Sequence, residues 1–209
     1  TPPGMTTRSR DRRTETLGLV ATTAATFLTS FTGSATNIAL PTLGAHFRLD
    51  AVQLSWIALA YMLATAALVL PMGRLGDLYG RKRLFLGGLA VFSAASALCG
   101  FAFTFGLLLA ARVLQGVGAS MLFATSMAIT TSIFPVSRRG AALGINTASV
   151  YLGLSVGPTL GGWLTHAFGW PSVFLVCAPA GLVVLLGAGA LLPGEWKDAE
   201  GESFDLAGS

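Results

Sequence analysis

The sequence predicts an all-α integral membrane protein, built as a bundle of six transmembrane helices. The first observation is that charged residues make up 11% and hydrophobic residues 53% of the 209-residue chain, whereas a soluble domain carries about 25% charged residues. The second is that the mean hydropathy is +0.70, with the apolar residues gathered into six long runs. The third is that the positive charges are concentrated in alternate loops between those runs.

Each apolar run is long enough to cross the hydrocarbon core of a bilayer, which is about 30 Å thick and needs roughly 20 helical residues. The runs are continuous instead of alternating with polar residues, which excludes a transmembrane β-barrel. The first run exceeds a signal-peptide core of about 7–15 residues, so we expect a retained helix. The predicted helices cover residues 17–40, 52–72, 84–102, 105–134, 140–167 and 172–192.

The connections between the runs are short, so sequential helices are expected to be antiparallel neighbours. Residues 101–106, between the third and fourth runs, carry no charge. The turn before the sixth run contains Trp170 and Pro171, which suit a corner at the membrane interface. The chain has 26 glycines, many inside the runs, where small residues let helices in lipid approach closely. A tightly packed bundle is therefore expected.

The basic residues are distributed unevenly along the chain. Eleven lie before the first run, after the sixth, or in the second–third and fourth–fifth connections, while the other connections hold one and Arg112 lies inside a run. The positive-inside rule then predicts that both ends are cytoplasmic and that the partner is the cell membrane, not nucleic acid. The expected organisation is a cytoplasmic segment 1–16, a six-helix domain 17–193 and a cytoplasmic linker 194–209 approaching a further helix.

The loop after the second run combines glycines with charged residues, and residues 73–83 read GRLGDLYGRKR. The glycines permit a tight turn and close approach of helices. Asp77 at a helix end can face the positive end of a neighbouring helix or an arginine, and the basic residues can anchor to anionic lipid. The candidate residues of this gate loop are Gly73, Asp77, Gly80, Arg81, Lys82 and Arg83.

The fourth run contains an arginine in an apolar segment, and residues 112–118 read RVLQGVG. An arginine at the centre of a membrane helix costs about 2.5–3.5 kcal/mol on insertion scales, so it is expected to face a cavity or a partner. Gln115 and Gly116 follow at three and four positions and share its helix face. We therefore expect a polar, close-packed stripe around Arg112, whose candidate members are Gln115, Gly116 and, in the first run, Asn37.

The fifth run carries a glycine repeat with a proline, and residues 153–162 read GLSVGPTLGG. Gly153, Gly157 and Gly161 recur every four residues and present a smooth face to a neighbouring helix. Pro158 removes one backbone hydrogen bond and bends the helix. The second glycine of the final pair, Gly162, completes the candidate motif.

Together these segments resemble the signature motifs of the major facilitator superfamily. Residues 73–83 are similar to its GxLxDxxGRK(R) loop, residues 112–118 to its RxxQGxG motif, and residues 153–162 to GxxxGPxxGG, the antiporter motif of drug/proton exporters. The family fold consists of two six-helix bundles, each made of two inverted three-helix repeats. The resemblance implies that this chain is the N-terminal bundle and that its partner is a C-terminal helical half.

The resemblance also implies roles for these residues. The gate loop would act as a latch between access states, Arg112 with Gln115 and Gly116 in proton coupling, and the antiporter motif in export. The implied function is secondary active transport of drugs or other small lipophilic substrates by alternating access, driven by the proton gradient. The stretch FDLAG at 204–208 is similar to the start of the seventh helix in fourteen-helix exporters.

One departure from this pattern concerns the coupling acid. The first run ends NIALP, which resembles the NVALP of multidrug exporters, but Thr32 stands where those exporters usually carry an aspartate. No Asp or Glu lies in the middle of any apolar run, although a proton-coupled carrier needs a titratable group within the membrane. Either the acid lies in the other half of the protein or the coupling differs.

Two alternatives stay open at this stage. One is a self-contained six-helix protein that forms a dimer or binds partners. An intramembrane serine protease would use Ser120 with His166, but these residues need to lie within hydrogen-bond reach of each other. No phosphate-binding GxxxxGK[ST] sequence occurs, and no metal, nucleotide or covalent cofactor is expected.

Overall fold

The computed structural model describes residues 4–191 and shows six α-helices in that part of the chain. This confirms the predicted all-α, six-helix fold class. The linker 194–209, with its FDLAG stretch, lies outside the described residues. The helices are α1 (Gly4–Phe47), α2 (Ala51–Tyr79), α3 (Arg81–Gly100), α4 (Phe105–Ile133), α5 (Val136–Phe168) and α6 (Pro171–Leu191).

Helix α1 is much longer than the apolar run that predicted it. It begins at Gly4 instead of residue 17, because a polar segment without prolines can continue the backbone hydrogen bonds of a helix. It also continues past Pro41 to Phe47, since a proline removes one hydrogen bond without ending a helix that is held by its neighbours. Hydropathy therefore located the helix but not its ends.

Four of the described helices, α2, α3, α4 and α6, are long and apolar enough on their own to cross a membrane. Helices α1 and α5 carry more threonine, serine, asparagine and glycine, and they pack most extensively against each other. Helix α4 lies at the centre of the bundle and contacts α1, α2, α3 and α5. The composition of α1 and α5 thus reflects helix–helix contact more than contact with lipid.

The loops divide between two ends of the bundle. At the first, the Arg138 guanidinium lies 2.8 Å from the Glu15 carboxylate, and Arg81 donates to Ser132, which brings the start of α1 to the α2–α3 and α4–α5 turns. At the other end, the rings of His46 and Trp170 lie 5.5 Å apart. We call the first the basic end, because the described cations outside the helix interiors gather there, except Arg48.

Candidate functional site

Arg112 is fully buried in the bundle. Its Nε donates to the Ile57 carbonyl oxygen of α2 at 3.0 Å, and its Nη1 donates to Gln115 Oε1 at 2.6 Å. Gln115 Nε2 in turn donates to Ser96 Oγ of α3 at 2.7 Å. One chain of hydrogen bonds therefore joins α2, α4 and α3, and we call Arg112, Gln115 and Ser96 the arginine core.

Aromatic rings replace a counter-ion around the guanidinium. Its carbon lies 4.4 Å from the centre of the Tyr61 ring and 5.8 Å from that of Phe174, within the range of a cation–π contact. Tyr61 is itself fixed, because its hydroxyl donates to the Thr29 carbonyl of α1 at 2.9 Å. No carboxylate of the described residues lies within salt-bridge distance of Arg112. The charge is balanced by dipoles and ring faces contributed by α2, α4 and α6.

The glycines after Arg112 bring α4 close to its neighbours. A Cβ on Gly116 would lie 2.6 Å from the Tyr61 carbonyl oxygen, and one on Gly118 would lie 2.6 Å from the Phe92 nitrogen. Both distances are shorter than real Cβ contacts. Thr65 Oγ1 adds a hydrogen bond to the Gly116 carbonyl at 3.2 Å. Gly116 therefore serves the approach of α4 to α2, and Gly118 serves its approach to α3.

Asn37 does not join the arginine core, contrary to the sequence-based expectation. It is exposed on α1, whereas the arginine core is buried. Thr32, at the place of the exporters' aspartate, is buried, and its hydroxyl lies 3.0 Å from Cys177 Sγ of α6. The sequence placed Asn37 in the first helix but gave no measure of which face it occupies.

The gate loop folds around an ion pair at the basic end. Asp77 Oδ1 accepts hydrogen bonds from Arg81 Nε at 3.0 Å and Nη2 at 2.8 Å. Arg81 Nη1 also donates to Ser132 Oγ of α4 at 2.5 Å. Asp77 therefore faces an arginine, one of the two partners expected for it, and Arg81 links the ends of α2, α3 and α4.

The glycines of the gate loop have different roles. Gly80 connects α2 to α3 with a φ of 107°, a region that residues with a Cβ rarely adopt. A Cβ on Gly73 would meet no atom within 4 Å, and one on Gly76 would make ordinary contacts. The expected close helix approach at Gly73 is therefore absent from the described structure. Lys82 and Arg83 lie in the first turn of α3, beside this linkage.

The glycine repeat of α5 packs directly on α1. A Cβ on Gly153 would lie 2.7 Å from the Phe27 carbonyl oxygen, one on Gly157 2.7 Å from Ser34 Cβ, and one on Gly161 2.6 Å from Ala35 Cβ. The smooth face predicted from the spacing is thus the face that α1 covers. Pro158 is exposed and Gly162 is half-buried.

Ser34 is a residue whose role the sequence did not reveal. Pro158 has no N–H, so the Leu154 carbonyl four residues earlier loses its helical partner. Ser34 Oγ of α1 donates to that Leu154 carbonyl oxygen at 2.9 Å. The hydroxyl therefore restores across the α1–α5 interface the hydrogen bond that the proline removes. Only the three-dimensional pairing of α1 with α5 makes this visible.

The residues considered for a protease are not brought together. Ser120 is buried, and its hydroxyl donates to the Val117 carbonyl of its own helix at 2.7 Å. His166 is exposed in the last turn of α5. A nucleophile and its base need direct hydrogen-bond contact, which this pair lacks.

Comparison with known proteins agrees with the helical membrane architecture. The chain is a multi-pass membrane protein of the transporter class. The sequence model described as "Major Facilitator Superfamily" matches residues 22–204. The chain belongs to this family, whose members are transporters and not enzymes.

Three curated relatives are similar to the chain. A riboflavin transporter of Clostridioides difficile is 38% identical over 182 residues, which cover 87% of this chain and 40% of that protein. A cephamycin export protein of Amycolatopsis lactamdurans is 41% identical over 98% of this chain and 42% of its own length. A multidrug resistance protein of Mycobacterium tuberculosis is 38% identical over 83% of this chain and 32% of its own length. The chain thus spans less than half the length of these relatives.

A solved structure has the same fold. It is the crystal structure of a bacterial homologue of the human lysosomal transporter Spinster, in an inward-facing and unoccupied conformation. The two superpose with a TM-score of 0.70 at 22% identity, over 91% of this chain and 46% of the other. At this identity the likeness shows the fold alone.

Proposed function

We propose that this protein is a proton-coupled exporter that moves small lipophilic molecules out of the cell by alternating access. The observation that carries the proposal is the complete burial of Arg112 on acceptors from α2 and α4, with no carboxylate of the described residues beside it. A charge held in this way is costly. A positive charge in a low-dielectric interior also favours the ionised form of a nearby acid. On this proposal, the acid that carries the proton comes from the remainder of the protein.

The helix contacts support a bundle with one rigid part and one movable part. Helices α2, α3 and α4 are joined by the arginine core and again by Arg81 at the basic end. The middle of the α1–α5 interface is instead a glycine face that lies directly against the backbone and small side chains of α1. Such a surface can shift with little side-chain rearrangement. The substrate would bind between this bundle and a second, C-terminal one.

We assign the basic end to the cytoplasm, because cations predominate there and positive charge is retained on the cytoplasmic side. Both ends of the chain are then cytoplasmic, and the protein resides in the plasma membrane. Asp77 and Arg81 would form the latch of the gate loop at that surface. Relatives named for the export of cephamycin and for multidrug resistance support export over uptake.

The direct test is an efflux assay with the full-length protein in cells whose own exporters are deleted. A panel of lipophilic fluorescent compounds would be loaded, and retention would be followed with and without a protonophore. We expect expression to lower retention of at least one compound and the protonophore to restore it. Efflux that survives the protonophore but stops on ATP depletion would overturn proton coupling. A panel in which no compound is exported would overturn the exporter assignment.

A further inference from the structure

A cavity of about 380 Å³ lies between α1, α4 and α5, away from the arginine core. Ser126 of this cavity follows Arg112 by 14 positions on α4, which corresponds to about 21 Å along a helix axis. The volume falls within the roughly 300–1,000 Å³ of small-molecule sites. Ten residues line it, among them Thr26, Phe123, Ser126, Met127, Asn146 and Tyr151.

The floor of the cavity is polar and buried. Ser126 is 1% exposed and its hydroxyl has no hydrogen-bond partner in the described chain. A serine or threonine hydroxyl in a helix commonly donates to the carbonyl four residues earlier. Thr130 Oγ1 makes such a bond to the Ser126 carbonyl at 2.8 Å, but the Ser126 hydroxyl itself does not. An unpaired hydroxyl in this position is unfavourable, because it has given up its hydrogen bonds to water. A ligand atom that hydrogen-bonds to it would remove that penalty.

A second polar group beside Ser126 has spare capacity. Asn146 is 8% exposed. Its Oδ1 accepts from Thr26 Oγ1 at 3.0 Å, and its Nδ2 donates to Thr130 Oγ1 at 3.4 Å. An amide nitrogen has two N–H groups, so one donor stays available. The contacts with α1 and α4 hold the amide in place beneath the cavity.

The mouth of the cavity is apolar and aromatic. Met127 and Tyr151 are 58% and 65% exposed, and Phe123 and Leu154 lie beside them in the lining. Rings and thioethers pack well on flat aromatic ligands and adapt to different shapes. An acyl chain would fill the mouth but leave the Ser126 hydroxyl and the spare N–H of Asn146 without partners. The combination favours a molecule with a ring system and a hydrogen-bonding group at one edge.

The charge of the lining limits the ligand further. None of the ten lining residues is an Asp, Glu, Lys, Arg or His. A cation that leaves water for such a site would have no counter-charge, and burying an unpaired ion is strongly unfavourable. An uncharged ligand has no such penalty. The site therefore selects against the lipophilic cations that an acidic pocket would attract.

We propose that the α1–α4–α5 cavity is a recognition subsite for an uncharged aromatic molecule that carries a hydroxyl or carbonyl group. Ser126 Oγ and the Asn146 amide bind that polar group, while Phe123, Met127 and Tyr151 hold the ring. This inference rests on the proposed export function, since it names the substrate class of the exporter. Binding and transport are measured separately so that the two can fail independently.

The experiment uses detergent-purified full-length protein and calorimetric binding of chloramphenicol, naphthol and coumarin, with tetraphenylphosphonium as the cationic comparison. We expect at least one uncharged probe to bind more tightly than the cation. We expect Ser126→Ala and Asn146→Leu each to weaken its binding by about fivefold to tenfold, the effect of one hydrogen bond. Ser149→Ala is the matched control, because that hydroxyl bonds to the Ile145 carbonyl of its own helix and does not line the cavity.

The outcomes separate the two proposals. Binding of the cation alone, binding of no uncharged probe, or equal affinity in Ser126→Ala and the parent protein would overturn the subsite. If Asn146→Leu misfolds, Asn146→Ser or Ser126→Ala alone decides the matter. In proteoliposomes with an imposed proton gradient, binding without transport would contradict the export function and leave the subsite intact. Transport of the cation with no binding of uncharged probes would contradict the subsite and leave the export function intact.

Discussion

Helices α2, α3 and α4 are joined very differently from α1 and α5. The first three share side-chain hydrogen bonds at two levels: Arg112 with Gln115 inside the bundle, and Arg81 with Asp77 and Ser132 at the basic end. The α1–α5 pair has polar contacts near the basic end and then a run of glycines against α1, with the hydrogen bond from Ser34 to the Leu154 carbonyl among them. The first set consists of directional hydrogen bonds, and the second consists mainly of close contact between small residues.

The largest effect is expected from the arginine core. Arg112→Met removes the charge while keeping a long apolar side chain, but it leaves the buried Gln115 Oε1 without its donor, which costs about 1–3 kcal/mol. We expect efflux to be lost while the full-length protein still reaches the membrane, with a modestly lower melting temperature in detergent. Arg112→Lys serves as the control that keeps the positive charge but lacks the planar guanidinium group and its fixed arrangement of donors. Efflux by Arg112→Met at the parental rate would show that the arginine has only a structural role.

The next largest effect is expected at the Asp77–Arg81 ion pair of the gate loop. Asp77→Asn keeps the size of the side chain but removes the charge that accepts two hydrogen bonds from Arg81. We expect efflux to fall at least about tenfold, equivalent to roughly 1.4 kcal/mol, with normal amounts of protein in the membrane. Asp50→Asn is a suitable control, because Asp50 caps α2 at the other end of the bundle. Equal drug resistance in cells with Asp77→Asn and parental protein would remove the latch from the mechanism.

A smaller effect is expected at the smooth interface. Gly157→Ala places a methyl group 2.7 Å from Ser34 Cβ, and overpacking costs about 1–3 kcal/mol, more than the roughly 1 kcal/mol gained in helix propensity. We expect a lower melting temperature and efflux reduced several-fold. Gly144→Ala in the same helix meets no atom within 4 Å and should raise the melting temperature. Identical shifts in the two variants would contradict the tight α1–α5 contact.

The smallest effect isolates one hydrogen bond. Ser34→Ala removes the donor to the Leu154 carbonyl, which should cost about 1 kcal/mol and change the efflux rate by at most about fivefold. Pro158→Ala supplies a backbone N–H to the same carbonyl, so the double variant should lose less stability than the sum of the two single variants. Additive losses in melting temperature, measured as a double-mutant cycle, would show that Ser34 does not compensate for the proline.

The sequence determined the number and type of the described helices. Bilayer thickness sets the length of each apolar run, and the absence of water in lipid requires a helix, whose backbone hydrogen bonds are all internal. It also predicted the glycine face of α5, since a four-residue repeat marks one side of a helix. The partner of Asp77 was narrowed to a helix end or an arginine, and the structure selects Arg81.

The tertiary structure decided which helix faces meet, and with them the site. Hydropathy does not report rotation about a helix axis, so the sequence placed Asn37 beside Arg112, although one is exposed and the other buried. The hydrogen bonds from Arg112 to the Ile57 carbonyl and from Ser34 to the Leu154 carbonyl join residues that are distant in the chain. The lack of a partner for the Ser126 hydroxyl depends on the packing around it. Hydrogen bonds of this kind act over about 3 Å, and only the packed bundle sets distances at that scale.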